Sequence, residues 1–199
     1  MSSKFKSLTR RQKIGYIRDY YTAHIIAAAI VIAVVGWGLN HYIFNPPPRT
    51  FLHISFYGQF VEEDLRGTLA RDLTNSFVEE SENYAVFVEN FFVSGDMQFD
   101  LAMSQRMMAL VSARELDIII IMPGREGVFI EAGFARDLRE LVTADEEIFS
   151  LPMRYFPNIQ NLARQLEENF DNWTLIVMSN SERDEAVRTF FDYSFLFYD

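Results

Sequence analysis

Short apolar runs and amphipathic stretches alternate along most of the chain. Residues 50–57, 84–93 and 116–122 are rich in aromatic or β-branched side chains and predict three strands. Residues 61–80 and 97–114 lie between them and predict two amphipathic helices. The first helix carries an apolar stripe at a spacing of four, formed by Val61, Leu65, Leu69, Leu73 and Phe77. The order strand, helix, strand, helix, strand predicts a parallel sheet with right-handed crossovers.

The pattern continues to the end of the sequence. We expect helices near residues 126–132, 137–142, 145–149 and 158–170, a buried strand at 173–178 and a closing helix at 182–197. The unbroken run 116–122 is typical of a strand covered on both faces. The predicted fold class is therefore α/β, with a single open, mainly parallel sheet and helices on both of its faces.

A segment near the amino terminus has a different pattern. Residues 22–44 contain no Asp, Glu, Lys or Arg, and aromatic or histidine side chains lie at both of its ends. As a helix these residues would be about 34 Å long, enough to cross a hydrocarbon core of about 30 Å. Rings at both ends are typical of the two membrane interfaces. We therefore predict a transmembrane helix at 22–44, in contact with the lipid bilayer.

The charges on the two sides of this segment have opposite signs. Residues 1–21 carry a net charge of +5, whereas the residues after them carry −15. The positive-inside rule then predicts a basic cytoplasmic tail (1–21) and an extracellular domain (50–199) on a single-pass protein of the cell membrane. A cleaved signal peptide would have a shorter apolar region and a small-x-small cleavage site, so an uncleaved anchor is favoured. Residues 45–49 follow as a stiff proline strut.

Composition excludes several classes of function. The chain has no cysteine, so disulfides and thiolate chemistry are absent. An acidic domain repels phosphate backbones, which argues against nucleic-acid binding. We find no Ser/His/Asp set, no HExxH, no P-loop and no spacing typical of a calcium loop. The sequence therefore predicts a protein that is not an enzyme and that needs no metal or cofactor.

A candidate binding site follows from the predicted sheet. Ligands of open parallel sheets meet the carboxyl ends of the strands, where helix amino termini also point. In this chain that edge comprises eight residues: Tyr57, Gly58, Gln59, Ser94, Gly95, Asp96, Gly124 and Arg125. Tyr57 and Arg125 are the expected contact residues. Glycines that end strands and Ser or Asp residues that cap helices explain the same pattern without any ligand.

Three segments resemble a known family. The run Leu116–Ile121, followed by Ala132-Gly133-Phe134 and Asp137-Leu138, is similar to a segment of extracellular solute-binding proteins of the type II periplasmic-binding-protein fold. The strand 174–178, the turn Ser179-Asn180-Ser181 and the helix after it resemble another segment of that family. The start of the chain, where Tyr20-Tyr21 and His24 lead into the apolar segment, resembles the start of membrane-anchored relatives from Gram-positive bacteria. Residues 143–172 are too few for the family's second lobe, so the resemblance implies one lobe.

Two functions fit these predictions. In the first, the outer domain is a non-catalytic interaction module, an accessory or assembly subunit that binds an integral membrane protein, such as a transporter. In the second, it is a tethered receptor that delivers a small-molecule ligand to an ABC-type transporter. The sequence identifies neither the partner nor the ligand.

Overall fold

The computed structural model describes residues 9–79, 83–159 and 170–195. The chain divides into two compact units, Met1–Pro47 and Pro48–Asp199, which are described separately. Within the described residues, the first unit is helical from Arg10 to Phe44, and the second contains the sheet.

One long helix makes up the described part of the first unit. Helix α1 spans Arg10–Leu39, and a π-helical turn, Asn40–Phe44, extends it. The turn ends at Asn45, whose backbone N–H donates to the Asn40 carbonyl at 2.8 Å, and the prolines that follow cannot continue a helix. Within this segment, Tyr21–Phe44 is long and apolar enough to cross a membrane, and its side chains are not buried. The predicted apolar helix is confirmed, and it begins earlier than expected, at Arg10.

The second unit contains five strands and five numbered α-helices within the described residues. The strands are β1 (Arg49–Gly58), β2 (Tyr84–Phe92), β3 (Ile118–Ile121), β4 (Leu151–Pro152) and β5 (Thr174–Val177). The helices are α2 (Glu63–Phe77), α3 (Met97–Ser112), α4 (Gly127–Glu131), α5 (Arg139–Val142) and α6 (Asp184–Ser194). Short 3₁₀ turns lie at Met153–Tyr155 and Phe170–Asn172.

The five strands form one open sheet in the order β2-β1-β3-β5-β4. Strand β1 is parallel to both β2 and β3, as the alternating pattern predicts. Strand β5 is antiparallel to β3 and to β4. The sheet is therefore mixed, and the expectation of a mainly parallel sheet holds only for its first three strands. Strand β5 follows β4 in the chain but lies between β3 and β4 in the sheet.

Alternate side chains of the central strands enter two separate cores. On one face, Leu52, Ile54 and Phe56 of β1 pack in a cluster that includes buried side chains of α2 and α6. On the other face, Ile119 and Ile121 of β3 pack with buried side chains of α3 and α4. All four residues of β3 are fully buried, as expected for a strand covered on both sides. Helices on both faces of the sheet are thus confirmed.

Some predicted elements differ from the structure. Residues 145–149 form no helix, because the backbone turns at Thr143, whose φ of 54° ends α5 after Val142. The two-residue strand β4 follows instead. Residues 160–169, most of one predicted helix, lie outside the described residues. So do residues 196–199, which include the predicted end of α6.

Candidate partner-binding edge of the sheet

The eight predicted site residues lie at one edge of the sheet. Strands β1, β2 and β3 are parallel, so the three segments that follow them meet at the same side. Residues 57–59 end β1, residues 94–96 follow β2, and Gly124 and Arg125 follow β3. We call this side the carboxyl edge. The strand order changes direction between β1 and β3, and such a switch point is where open α/β sheets bind ligands.

The switch point itself is filled by the chain's own side chains. Gly58 has a φ of +115°, and a Cβ atom there would lie 3.0 Å from the sulfur of Met122. The Met122 N–H donates to the Tyr57 carbonyl at 3.2 Å, which holds β3 against the end of β1. The Tyr57 ring is half-buried and packs edge-to-face on Phe129, with ring centroids 5.3 Å apart. Of the two predicted contact residues, Tyr57 therefore packs in the domain, whereas Arg125 is exposed.

Backbone N–H groups around the turn between β2 and α3 donate hydrogen bonds to two nearby carboxylates, those of Asp96 and Asp100. The Asp100 carboxylate accepts from the backbone N–H of Ser94 at 2.8 Å and of Gly95 at 3.1 Å. The Asp96 carboxylate caps α3, accepting from the N–H groups of Gln98 at 2.9 Å and Phe99 at 3.2 Å. These four donors, which would otherwise attract an anion, are already occupied.

The electrostatics of this turn agree with that geometry. The pKa of Asp100 lies below its ordinary value, chiefly because the Ser94 N–H donates to the carboxylate, with further hydrogen bonds from the Ser94 hydroxyl and the Gly95 N–H. Partial burial opposes this shift, and the positive charge of Arg125 adds to it. Arg125 on the β3–α4 segment therefore interacts electrostatically with the start of α3.

Asn90 holds the remaining loop of the edge in place. Its side-chain oxygen accepts from the Val61 N–H at 2.9 Å, and its amide nitrogen donates to the Gln59 carbonyl at 2.6 Å. This positioning residue did not emerge from the sequence pattern. The one available signal is a polar amide within the aromatic run of β2.

Exposed apolar side chains lie next to these bonded segments in the chain. Met97 at the start of α3 is 85% exposed and Val128 on α4 is 71% exposed. Phe60 and Val93 are exposed as well, and Phe60 packs edge-to-face on Phe92 at 5.2 Å. The sequence pattern did not single out these four residues, because each follows or begins an element whose buried residues are equally apolar.

Two buried acceptors at the carboxyl edge have no hydrogen-bond partner. They are Oε1 of Gln59, in the β1–α2 loop, and Oε2 of Glu126, which precedes α4. A buried polar atom without a partner costs free energy, so a donor from water or from a ligand would be favourable there.

A second polar cluster lies at the opposite, amino-terminal end of β3. The fully buried Asp117 carboxylate accepts from the His53 N–H at 2.8 Å and from Nη1 of Arg183 at 3.1 and 3.0 Å. The hydroxyl of Ser181 donates to it at 2.5 Å. These bonds compensate a charge that would otherwise be costly to bury. They also link β1 to the start of β3 and to the segment that precedes α6.

His53, next to this cluster, is buried. Burial lowers its pKa, whereas the negative charges of Glu89 and Asp117 oppose that shift. Its Nε2 atom has no hydrogen-bond partner and lies 4.0 Å from Oε1 of Glu89. Among the described residues, no group of three or more His, Asp or Glu side chains is arranged to hold a metal ion.

Comparison of the chain with protein-family models, with curated proteins and with solved structures finds no match.

Proposed function

We propose that the protein is a membrane-anchored interaction module, whose outer domain binds a protein partner through the carboxyl edge. The observation that carries this proposal is the combination of exposed apolar side chains with occupied polar donors at that edge. Met97, Val128, Phe60 and Val93 are exposed, while the N–H groups of the β2–α3 turn are bonded to Asp96 and Asp100. Apolar anchors surrounded by satisfied polar groups are typical of protein interfaces.

The proposed location rests on helix α1 and on charge. The stretch Tyr21–Phe44 has 24 residues, sufficient for one membrane crossing. Basic residues concentrate before it and acidic residues after it, which favours a cytoplasmic amino terminus and an extracytoplasmic domain. A helix at this position is also compatible with a signal sequence, and the lack of a cleavage site favours the anchor.

A partner that is itself an integral membrane protein fits this arrangement. A short tether confines the domain to the vicinity of the bilayer, which raises its effective concentration toward other proteins of the same membrane. The domain would then be an accessory or assembly subunit of a membrane complex, a transporter being one example. The carboxylates of the β2–α3 turn are engaged in structural hydrogen bonds, which supports a non-catalytic role.

The test is recovery of partners with the full-length protein from detergent-solubilised membranes. We expect Phe60→Asp and Val128→Asp to reduce the co-purified partner, because each places a charge in an apolar contact. Tyr84→Asp is the matched control, since Tyr84 is 38% exposed at the amino-terminal end of β2. Unchanged recovery with both edge variants would refute the proposed role of this edge.

The tethered solute receptor is the second candidate. It is favoured by the unpaired acceptors Gln59 Oε1 and Glu126 Oε2, which a ligand bearing N–H or O–H donors would satisfy. Thermal melting of the full-length protein with sugars, amino acids and peptides distinguishes the two functions. A ligand at 100 times its Kd should add about 2.7 kcal/mol of stability. A stabilising ligand whose effect is lost in Gln59→Leu would favour the receptor over the module.

A further inference from the structure

Three buried side-chain atoms of β1 and β2 have no hydrogen-bond partner among the described residues. They are Nε2 of His53, Oγ of Ser55 and Oε2 of Glu89. His53 is 7% exposed and Ser55 is completely buried. A buried polar atom without a partner costs free energy, and native proteins have few of them. Three such atoms on neighbouring residues therefore indicate a shared partner.

The strand register brings the three residues to one face of the sheet. His53 and Ser55 are two residues apart on β1, so their side chains lie on the same face. Ser55 is paired with Glu89 of the parallel strand β2. Nε2 of His53 lies 4.0 Å from Oε1 of Glu89, which is too far for a direct hydrogen bond. Arg106 of α3 donates to the same Glu89 oxygen at 2.8 Å, so α3 covers this face.

The hydrogen-bonding capacities of the three groups define what can bind between them. Burial lowers the pKa of His53, and a hydrogen bond to the Glu115 backbone opposes that shift, which identifies a ring N–H as donor to the Glu115 carbonyl. Because Nε2 has no partner, that donor is Nδ1, and the uncharged ring then presents a lone pair at Nε2. The Glu89 carboxylate also accepts, whereas the Ser55 hydroxyl can donate. A molecule that satisfies all three needs two donors and one acceptor.

We propose that a single water molecule is bound here by His53, Ser55 and Glu89. Its two O–H groups donate to Nε2 of His53 and to Oε2 of Glu89, and its oxygen accepts from the Ser55 hydroxyl. Buried waters in proteins typically make about three hydrogen bonds to groups that would otherwise be unpaired. This water joins β1 to the edge strand β2 on the face of the sheet that α3 covers.

Charge favours water over a cation as the bound species. The Glu89 carboxylate is already paired with Arg106 at 2.8 Å, and the Asp117 carboxylate is paired with Arg183 at 3.0 Å. An ammonium or metal ion beside His53 would therefore be buried without a counter-charge of its own, which is costly. Water supplies the two donors without adding charge.

A second serine provides a matched test of this site. Ser194, at the end of α6, is also completely buried, and its hydroxyl is the only unpaired polar side-chain atom of α6 within the described residues. Loss of a hydroxyl without a partner should not lower stability, whereas loss of the Ser55 hydroxyl leaves the bound water with one hydrogen bond fewer. We expect Ser55→Ala to raise the unfolding equilibrium constant about fivefold, and Ser194→Ala not to raise it.

Urea denaturation of the full-length protein in detergent micelles measures these constants. The fluorescence of Trp173, which is buried in the outer domain, follows unfolding of that domain. The measurement belongs at about pH 8, where an isolated histidine is uncharged.

Nuclear magnetic resonance detects the water itself. In the full-length protein with labelled histidine, the carbon-bound ring protons of His53 should show a nuclear Overhauser contact with water that has the sign of a long-lived contact. His24, which is exposed on α1, is the control in the same spectrum and should show no such contact.

Every outcome decides the proposal. A long-lived water contact at His53, together with a larger unfolding constant for Ser55→Ala than for Ser194→Ala, would support it. Absence of that contact in the wild-type protein would overturn it, whether or not Ser55→Ala folds. Equal unfolding constants for the two serine variants would also overturn it, because the Ser55 hydroxyl would then bind nothing. Greater stability in ammonium chloride than in sodium chloride of equal concentration would replace water by a cation.

Discussion

At the scale of single residues, Asp117 interrupts an otherwise apolar run, and its carboxylate is completely buried where β3 begins. Arg183 supplies the compensating charge, and Ser181 and the His53 N–H supply further donors. None of these residues is at the carboxyl edge. The cluster therefore contributes to stability, and its contribution can be measured without affecting the proposed interface.

We expect Arg183→Leu to destabilise the outer domain by about 3 kcal/mol, because it leaves the Asp117 carboxylate buried without its counter-charge. Arg188→Leu, in helix α6 directly after Arg183, is the control. Arg188 is exposed, and its Nη2 atom lies 3.7 Å from Oε2 of Glu140. Loss of this surface ion pair should lower the free energy of unfolding by less than about 1 kcal/mol. Urea denaturation of the two variants measures the difference. Equal losses of unfolding free energy in the two variants would show that the Arg183–Asp117 pair contributes no more than a surface ion pair.

His53 should make the stability of the domain depend on pH. Its pKa is lowered by burial, so below the ordinary value of 6.5 the unfolded chain takes up a proton more readily than the folded chain does. Stability from this group is therefore present above pH 6.5 and is lost as the pH falls below it. The lowered pKa values of Asp100 and Asp137 add stability that is present above their ordinary value of 3.8 and is lost at lower pH, so they do not produce a change at about pH 6.

Urea denaturation between about pH 7 and about pH 5 checks this prediction. Wild-type protein should lose stability over that range, and His53→Gln should lose less. A wild-type protein whose stability stays constant, or a variant with an unchanged pH dependence, would contradict the assignment to His53.

At the scale of elements, the start of α3 depends on its cap. Asp96→Ala should cost about 1 kcal/mol, because the N–H groups of Gln98 and Phe99 lose their acceptor. Glu62→Ala is the matched control, since Glu62 precedes α2 and makes no capping hydrogen bond with its side chain. Thermal unfolding of both variants gives the comparison. A Glu62→Ala variant as unstable as Asp96→Ala would mean that capping is not the cause.

The elements also show which features a sequence pattern can predict. Strands β1 and β2 and helices α2 and α3 were predictable from the spacing of their apolar residues, and β3 was predictable from its unbroken apolar run. The direction of β5 was not, because four consecutive buried residues carry no signal of orientation. Strand β4 has two residues, one of them Pro152, and leaves no pattern to detect.

The sequence predicted the edge of the sheet on which the candidate residues lie, but it did not predict which of their polar groups are free to bind a ligand. Parallel strands bring their carboxyl ends together, so the topology of β1, β2 and β3 located the eight residues. Whether a backbone donor stays free depends on which side chains fold back onto it. Asp100 bonds to Ser94 within the same turn, whereas Asn90 bonds to Val61, 29 residues away in the chain. For the same reason, spacing alone did not reveal that Met122 packs over Gly58.

At the scale of the whole molecule, the proposed topology can be tested with protease. Protease added to intact cells should remove residues after the anchor, because the acidic domain is expected on the outer side. Immunoblotting with antibodies against the two ends of the protein measures what remains. Lysed cells provide the control that the domain is cleavable. A domain protected until the cells are lysed would place it inside, and the accessory role outside the cell would then be wrong.

The insertion of β5 between β3 and β4 has a consequence for biosynthesis. While the polypeptide is being made, Ile118–Ile121 has β1 on one side only, and its other side stays open until residues 174–177 emerge. A chain interrupted before that point would present four isoleucines along a strand with one unpaired edge, which invites pairing with another chain. Release of a truncated product should therefore lead to aggregation through this one strand.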